Sequence, residues 1–355
     1  MKIYINHFIL LFVGSLFFTQ CAKEEFTISE SADDFFFLAA EDANLPVQVQ
    51  GNTASGKMIV MLHGGPGGSS IIFNELFTEF TDELEAKYGV AYYDQRSSGT
   101  AQGANDETLL TPEQYVADLE QLTYLLRNKY GDSMQFYLCG LSWGGYLGNA
   151  FLSKDNNQDL YDGWINLVGA HDFKQIAHFG REKMLFYGEQ QMSLDKNKED
   201  WEEILEYCRE NPTVNDKDDF IQMNGRAHRS NQLMKDSLEQ TLTVAPLGRQ
   251  LAFAFTSPFD SNAMLSNRQN IFASELLERI VENPLQEKLP NIKLPSLLIG
   301  GNYDFVVPVE SLREQYELYS SVDKSFHVLP HSSHTIIGDE IPALIKLMTE
   351  FVDRL

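Results

Sequence analysis

The sequence predicts an α/β fold in which a mostly parallel sheet is flanked by helices and carries an inserted helical cap. Three observations indicate this class. Short apolar runs recur along the chain, and several are continuous enough for strands buried on both faces. A helix with a well-marked start lies between two of these runs. From about residue 173 the pattern turns helical and charged, and strand-like runs resume near residue 290.

Length and composition describe a globular chain with a substantial core. The 355 residues are 43% hydrophobic and 12% aromatic, which is ample for one large domain with an insertion. Lysine and arginine total 27 against 51 aspartates and glutamates, giving a net charge of -24. Such a charge repels nucleic acid and anionic membrane surfaces, so we expect no nucleic-acid partner.

The N-terminus has the pattern of an export signal. Lys2 precedes an apolar stretch from Ile9 to Phe18, too short for a convincing transmembrane helix, and we assign residues 1–20 to a signal peptide. Cys21 then resembles the lipidated cysteine of bacterial lipoproteins, and the five residues from Cys21 resemble the signal for the outer face of the outer membrane. Residues 21–34 are polar and acidic, which predicts a tether. We therefore expect an exported protein that touches membrane only through a lipid anchor.

The remaining elements follow in order. Short apolar runs followed by turn residues occur in the segments "FFFLAA" (35–40), "PVQVQG" (46–51), "KMIVMLHGG" (57–65), "GVAYYDQR" (89–96), "MQFYLCG" (134–140) and "GWINLVGA" (163–170), and strand signals resume in "LPSLLIGGNYD" (294–304) and "KSFHVLPHSSH" (324–334). A helix is predicted from Pro112 to about Asn128, because Thr111 can cap it and Pro112 suits its first position. A final helix is predicted from about Ile341 to Phe351. These assignments place the core at residues 35–172 and 290–355, and the cap at 173–289.

One motif points to nucleophilic catalysis. The segment "GLSWGG", residues 140–145, follows a predicted strand and precedes a helix. A G-x-S-x-G sequence in that setting is typical of the nucleophile elbow of α/β-hydrolases, where a strained turn exposes the serine. Ser142 is therefore the candidate nucleophile, held at the carboxyl end of the sheet.

A serine hydroxyl needs a histidine base and an acid that orients it. In α/β-hydrolases the acid and the histidine follow the serine along the chain. Two candidates exist for each role, all near predicted strand ends. We favour Asp304 over Asp172 as the acid, because two glycines open the turn before it, and His334 over His331 as the base, because more loop precedes it.

The glycine-rich segment "HGGPGG", residues 63–68, also follows a predicted strand. Acyl transfer from serine passes through an oxyanion that backbone N–H groups must stabilise, one from the residue after the nucleophile and one from an earlier loop. Trp143 would supply the first group and Gly65 the second. Glycine lets the bare backbone approach the reacting carbonyl.

Taken together, the segments "HGGPGG", "YDQRSSG", "GLSWGG", "GGNYDFVVP" and "SSHTIIGDE" resemble the proline iminopeptidase branch of the α/β-hydrolases. The resemblance implies a Ser142–Asp304–His334 triad, no cofactor and removal of N-terminal residues, often proline, from peptides. Ser97 stands where the family's D-Q-R segment is usually followed by glycine, and we interpret this loop, with Asp94, Gln95 and Arg96, as structural support.

We therefore expect a serine hydrolase without a bound metal, most simply an aminopeptidase acting on small peptides. A carboxylesterase for small esters would use the same machinery under a different cap, and a non-catalytic binding lipoprotein is the alternative from another class. Aminopeptidases of this branch hold the substrate amine with cap carboxylates. The candidates for that role here are Glu182, Glu189, Glu202, Glu203 and Glu206.

Overall fold

The computed structural model describes residues 32–103, 106–237, 244–248, 253 and 261–355. The predicted signal peptide, Cys21 and most of the predicted tether lie outside these residues. The tether prediction is wrong at its end, because residues 32–34 already belong to the first strand. Strand pairing extends over them, since Ala32 lies opposite Gly51 in the neighbouring strand.

The described residues form one nine-stranded sheet with the order β1-β2-β4-β3-β6-β7-β8-β9, and β5 pairs with β2. The neighbouring strands β4, β3, β6, β7, β8 and β9 pair in parallel in that spatial order. At one side of the sheet, β2 pairs antiparallel with β1, β4 and β5. The strands are β1 (Ala32–Ala40), β2 (Ala43–Gly51), β3 (Lys57–Leu62), β4 (Gly89–Tyr93), β5 (Gln102–Gly103), β6 (Gln135–Leu141), β7 (Gly163–Leu167), β8 (Ser296–Gly301) and β9 (Lys324–Leu329).

Helices cover both faces of this sheet and build the cap. The core helices are α1 (Ser70–Leu76), α2 (Thr78–Glu85), α3 (Pro112–Tyr130), α4 (Trp143–Leu152), α10 (Val309–Leu318), α11 (Ile336–Asp339) and α12 (Ile341–Arg354). Between β7 and β8 lie the helices α5 (Phe173–Ser193), α6 (Lys198–Glu210), α7 (Lys217–Ser237), α8 (Ser261–Ala273) and α9 (Leu276–Glu282). In the described part of the chain, no helix is both long and apolar enough to cross a membrane.

Helix α3 illustrates how local sequence fixes an element. The Thr111 side chain accepts a hydrogen bond from the Gln114 N–H at 3.2 Å, and Pro112 occupies the first turn. Tyr115, Leu119 and further side chains at helical spacing are buried against the sheet. The predicted cap at Thr111 and the predicted place of Pro112 are both present.

The central strands are apolar on both faces because helices cover both. Every residue of β4 and β7 is buried, and β3 is buried from Met58 onward. Side chains that alternate along these strands therefore enter two hydrophobic clusters, one on each face of the sheet. The cluster that includes Val60 and Leu138 continues into the cap through Met184 and Trp201. The predicted α/β fold class, with its mostly parallel sheet, is confirmed.

Candidate active site

Ser142 sits on the turn between β6 and α4 in a conformation that side chains rarely adopt. Its φ is 56° and its ψ is -115°, so the turn is strained. The Ser142 N–H donates to Leu167 O at 3.0 Å, which ties the turn to the neighbouring strand. A Cβ atom at Gly144 would collide with the Leu62 carbonyl oxygen. A glycine is needed there because the helix crosses the strand so closely, as expected for a nucleophile elbow.

Three predicted side chains meet at this turn. Ser142 Oγ lies 3.0 Å from His334 Nε2, and His334 Nδ1 lies 2.8 Å from Asp304 Oδ2. Because an ionised carboxylate only accepts hydrogen bonds, Nδ1 carries the proton and Nε2 of the neutral ring accepts from the serine hydroxyl. This tautomer is the one a general base requires.

The rival candidates lie elsewhere. Asp172 caps helix α5, where its side chain accepts from the Gln175 N–H at 3.0 Å. His331 is exposed, and its backbone N–H donates to Glu340 at 2.8 Å. The serine, histidine and acid that the sequence analysis favoured are therefore the ones that the structure brings together.

Asp304 is held rigidly beneath the histidine. Its side chain is fully buried, whereas that of His334 is 15% exposed. The second carboxylate oxygen, Oδ1, accepts from the backbone N–H groups of Val306 and Val307 at 2.8 and 2.9 Å. These bonds stabilise a charged carboxylate in a dry site and fix the direction of the oxygen that faces His334.

The glycine loop after β3 lies directly over Ser142. Gly65 has a φ of 126°, and a Cβ atom there would lie 2.8 Å from Gly67 N, so the loop needs glycine at this point. A Cβ atom on Gly64 would lie 3.3 Å from Ser142 Cβ. The loop thus brings bare backbone to the nucleophile, as an oxyanion hole requires.

The D-Q-R loop forms hydrogen bonds both to the glycine segment and to the turn that carries Ser142. The Gln95 N–H donates to His63 Nε2 at 3.2 Å, and Trp143 Nε1 donates to Gln95 Oε1 at 2.7 Å. Arg96 forms a buried bidentate pair with Asp118, with both distances 2.9 Å. These contacts match the predicted supporting role of the loop and add a specific link between the elbow and the glycine segment.

Two buried groups in this support have shifted pKa values. Burial lowers the pKa of His63 to about 4, so the ring is neutral and its Nδ1 donates to Gly64 O at 2.8 Å. Burial raises the pKa of Asp94 to about 6, although hydrogen bonds from Thr100, Ser69 and Ile71 oppose the shift. Both groups lie behind the glycine loop and act on its shape.

A cavity of about 510 Å³ opens above Ser142 between the core and the cap. Its apolar lining includes Phe173, Ile176, Phe220, Ile271, Phe272 and Leu277. Among the described residues, the polar side chains that line it are those of Ser142, Asn224, His228 and Arg268. The cavity can bury an apolar group attached to a carbonyl placed at Ser142.

One face of helix α7 lies against the cavity and the segments around Asp304 and His334, a placement that the sequence does not predict. Asn224 and His228 line the cavity. Asn231 Oδ1 accepts from the Phe305 N–H beside the acid at 3.2 Å, and Lys235 Nζ lies 2.5 Å from Asp339 Oδ1. Asp339 in turn accepts from both the N–H and the hydroxyl of Ser333 at 2.8 Å. Asn224, His228, Asn231 and Lys235 are spaced by 4, 3 and 4 residues, which predicts that they share one face of a helix. Nothing in the sequence indicates which part of the core this face covers.

His228, on this face of α7, packs against His334. Its ring centroid lies 5.9 Å from that of His334 in an edge-to-face arrangement. The His228 side chain is exposed to solvent at the cavity, yet the packing around its ring and the adjacent His334 both lower its pKa. A neutral imidazole therefore faces the place where substrate would bind.

The five cap glutamates proposed as amine ligands do not line the cavity. All five are exposed on α5 and α6. Glu189 pairs with Arg209 at 3.2 Å, and Glu203 pairs with Arg226 at 3.0 Å. The expectation is therefore wrong for these residues, because the charged face of each helix points to solvent and the apolar face points inward.

No metal centre is evident either. The described ranges contain no group of three or more histidine, cysteine, aspartate or glutamate side chains arranged to hold an ion. Cys139 and Cys208 are both buried and both free.

Comparison with known proteins agrees with this geometry. Residues 57–340 match the family described as alpha/beta hydrolase fold, and the chain belongs to that family. It is a hydrolase whose relatives fall in the proline iminopeptidase branch. It is 23% identical to "Probable aminopeptidase YbaC" of Bacillus subtilis, covering 81% of this chain and 86% of that protein. It is 24% identical to a proline iminopeptidase of Heyndrickxia coagulans, covering 90% and 98%. The crystal structure of VinJ has a TM-score of 0.61 and 18% identity, covering 91% and 99%.

Proposed function

We propose that this chain is a serine hydrolase that forms an acyl-enzyme on Ser142. The observation that carries the proposal is the continuous hydrogen-bonded chain from Ser142 through His334 to Asp304 at the floor of the cavity. The order of serine, acid and histidine along the sequence and the lengths of the two hydrogen bonds suit nucleophilic catalysis.

In the first step Ser142 Oγ attacks the substrate carbonyl while His334 Nε2 takes its proton, and Asp304 stabilises the resulting imidazolium. The backbone N–H groups of Trp143 and Gly65 would hold the oxyanion. When the intermediate collapses, His334 returns the proton to the leaving amine or alcohol. Water then attacks the acyl-enzyme through the same base, which regenerates Ser142.

For the substrate we propose small peptides with a free N-terminus, cleaved after the first residue. Support comes from the aminopeptidase and proline iminopeptidase relatives, which match most of the chain. The apolar cavity could hold the side chain of a small N-terminal residue such as proline. Esterase activity is the second candidate, favoured because no carboxylate among the described residues lines the cavity.

The test compares prolyl and alanyl arylamides, their N-acetyl forms and a short p-nitrophenyl ester. We expect the free amides to be cleaved and acetylation to lower kcat/KM. Equal cleavage of free and acetylated amides, or turnover of the ester alone, would favour the esterase. Labelling by a fluorophosphonate probe in the wild type but not in Ser142→Ala tests the nucleophile independently of substrate. A binding protein without turnover would give neither labelling nor hydrolysis.

We also propose that the mature protein is exported and begins at a lipidated Cys21, anchored in the outer membrane of a bacterium. The support is the apolar stretch from Ile9 to Phe18, followed by the cysteine and a polar segment. An anchor of this kind would leave the catalytic domain outside the cytoplasm.

A further inference from the structure

Arg268 differs from the other described arginines of the cap. Five described cap arginines pair with a carboxylate: Arg181 with Glu182, Arg209 with Glu189, Arg226 with Glu203, Arg229 with Asp200 and Arg279 with Glu275. Arg268 forms no ion pair with a described residue. It is exposed on α8 and lines the cavity above Ser142. Its guanidinium lies 5.8 Å from the centroid of the Phe272 ring and has no carboxylate partner among the described residues, in a chain of net charge -24.

The base of Arg268 is held in place by its neighbours. Asn267 is buried, and its Nδ2 donates to Gly99 O at 3.1 Å and to Ala101 O at 2.9 Å. A Cβ atom on Gly67 would lie 3.9 Å from Arg268 Cγ, so this side chain leaves the helix directly over the glycine loop. The stem of the side chain therefore lies beside the glycine loop, and its guanidinium lies over the ring of Phe272, which also lines the cavity.

The electrostatic character of the cavity follows from its lining. Arg268 is its only charged side chain among the described residues, since Asn224 and Ser142 are uncharged and the His228 imidazole is neutral. The remaining described side chains of the lining are apolar. The planar fork of arginine suits carboxylates, and because Arg268 is exposed its guanidinium is accessible to a substrate that enters the cavity.

We propose that Arg268 binds a carboxylate of the substrate, and that the preferred substrates are short peptides whose free C-terminus reaches this guanidinium. This inference rests on the proposed function and narrows its substrate class. The carboxylate would be bound before and during attack by Ser142, so recognition contributes mainly to KM. Long peptides and C-terminal amides would lose the contact.

The test measures kcat and KM for alanyl and prolyl dipeptides and for the same dipeptides as C-terminal amides. In the wild type we expect the free acids to have a kcat/KM at least about tenfold higher, mostly through KM. In Arg268→Gln the ratio should fall to about one, and Arg268→Lys should keep part of it, because a charge remains without the fork. Arg279→Gln is the matched control, since it removes a surface-paired cap arginine outside the cavity and should leave the ratio unchanged.

The outcomes separate this inference from the proposed function. If the wild type cleaves acids and amides equally, or if Arg268→Gln keeps the full preference for acids, the role of Arg268 is refuted while the hydrolase stands. If no peptide is cleaved at all, the aminopeptidase proposal fails with it. Fluorophosphonate labelling of Arg268→Gln at the wild-type rate would establish that the variant is folded and that its nucleophile is intact.

Discussion

The indole N–H of Trp143 donates to the side-chain oxygen of Gln95 at 2.7 Å, in a fully buried contact. Gln95 also contacts His63, at the start of the glycine loop, through its backbone N–H and through its side-chain amide. One residue therefore spans the two segments proposed to hold the oxyanion. The relative position of the Trp143 and Gly65 backbone N–H groups depends on this bridge.

Replacing Gln95 should thus impair catalysis more than binding. In Gln95→Leu we expect kcat to fall by about ten- to a hundredfold with little change in KM, because the oxyanion donors act in the transition state. Steady-state kinetics on an arylamide or ester substrate checks this. Gln95→Glu keeps an acceptor for Trp143 but loses the amide that donates to His63 O and buries a carboxylate, so it should also lower kcat. A change in KM alone would contradict the proposed role of the bridge.

The three residues of the hydrogen-bonded chain should act as a unit. Ser142→Ala and His334→Ala should each lower kcat by about three or more powers of ten while thermal unfolding stays close to that of the wild type. Asp304→Asn should also be severe, because an amide can hold the imidazole in the wrong tautomer. His331→Ala and Asp172→Asn are the controls, and a comparable loss in either would mean that the base or the acid is misassigned.

Lys235 should couple the cap to the loop that carries the base. Its ion pair with Asp339 is nearly dry, with side-chain exposures of 9% and 1%. Lys235→Gln leaves the carboxylate without its cation, so we expect a loss of about 3 kcal/mol in unfolding free energy and lower activity, measured by denaturant unfolding and kinetics. The double variant with Asp339→Asn should recover part of both.

The control for Lys235 is Lys174→Gln in the same cap. Lys174 pairs with Glu282, and their side chains are 37% and 53% exposed. Exposed pairs contribute little, so this change should shift stability by less than about 1 kcal/mol. If Lys235→Gln and Lys174→Gln lowered the free energy of unfolding equally, the buried Lys235–Asp339 pair would contribute no more to stability than an exposed pair.

Acid should destabilise the fold partly through His63. Its folded pKa of about 4 is below the unfolded value of 6.5. Between pH 4 and pH 6.5 the unfolded chain therefore binds more protons than the folded chain. The stability that the neutral ring contributes is complete above about pH 6.5 and is lost as the pH falls toward 4. Unfolding free energies across this range should decrease with acid, and less steeply in His63→Gln, which keeps an acceptor for the Gln95 N–H. An unchanged slope in the variant would contradict the assignment.

Export can be tested at the N-terminus itself. Mass spectrometry of the native protein should find a mature chain that begins at Cys21 and carries lipid. Cys21→Ala should release the protein from the membrane fraction without loss of hydrolase activity. An unmodified terminus elsewhere, or membrane association that persists in the variant, would remove the lipoprotein proposal and leave the enzyme unaffected.

The parts of the structure that the sequence predicted well are those encoded locally. Buried strands have continuous apolar runs, and the start of α3 has its cap at Thr111 and its proline at Pro112. The catalytic candidates were also accessible, because a parallel sheet gathers the carboxyl ends of its strands at one edge. Ser142, Asp304 and His334 each follow a strand, so their meeting required only the strand order.

The cap was predicted poorly because its contacts are not local. Helix amphipathicity separates inside from outside, but it does not say which apolar face covers the active site. The cap glutamates were chosen for their charge and point to solvent, whereas Asn224, His228 and Lys235 carry the contacts with the catalytic region. Only the tertiary arrangement distinguishes these two sets of polar residues.

The cap enters and leaves the sheet between two strands that are hydrogen-bonded neighbours, β7 and β8, with Trp164 opposite Ser296. The cap, a segment of more than a hundred residues, therefore begins and ends at neighbouring positions of the core. Such a segment can be exchanged for another of different length without disturbing strand order or register. Chimaeras joined at β7 and β8 could therefore change the cap on the same sheet, provided that the new cap supplies the contacts that Asn231 makes with Phe305 and Lys235 makes with Asp339.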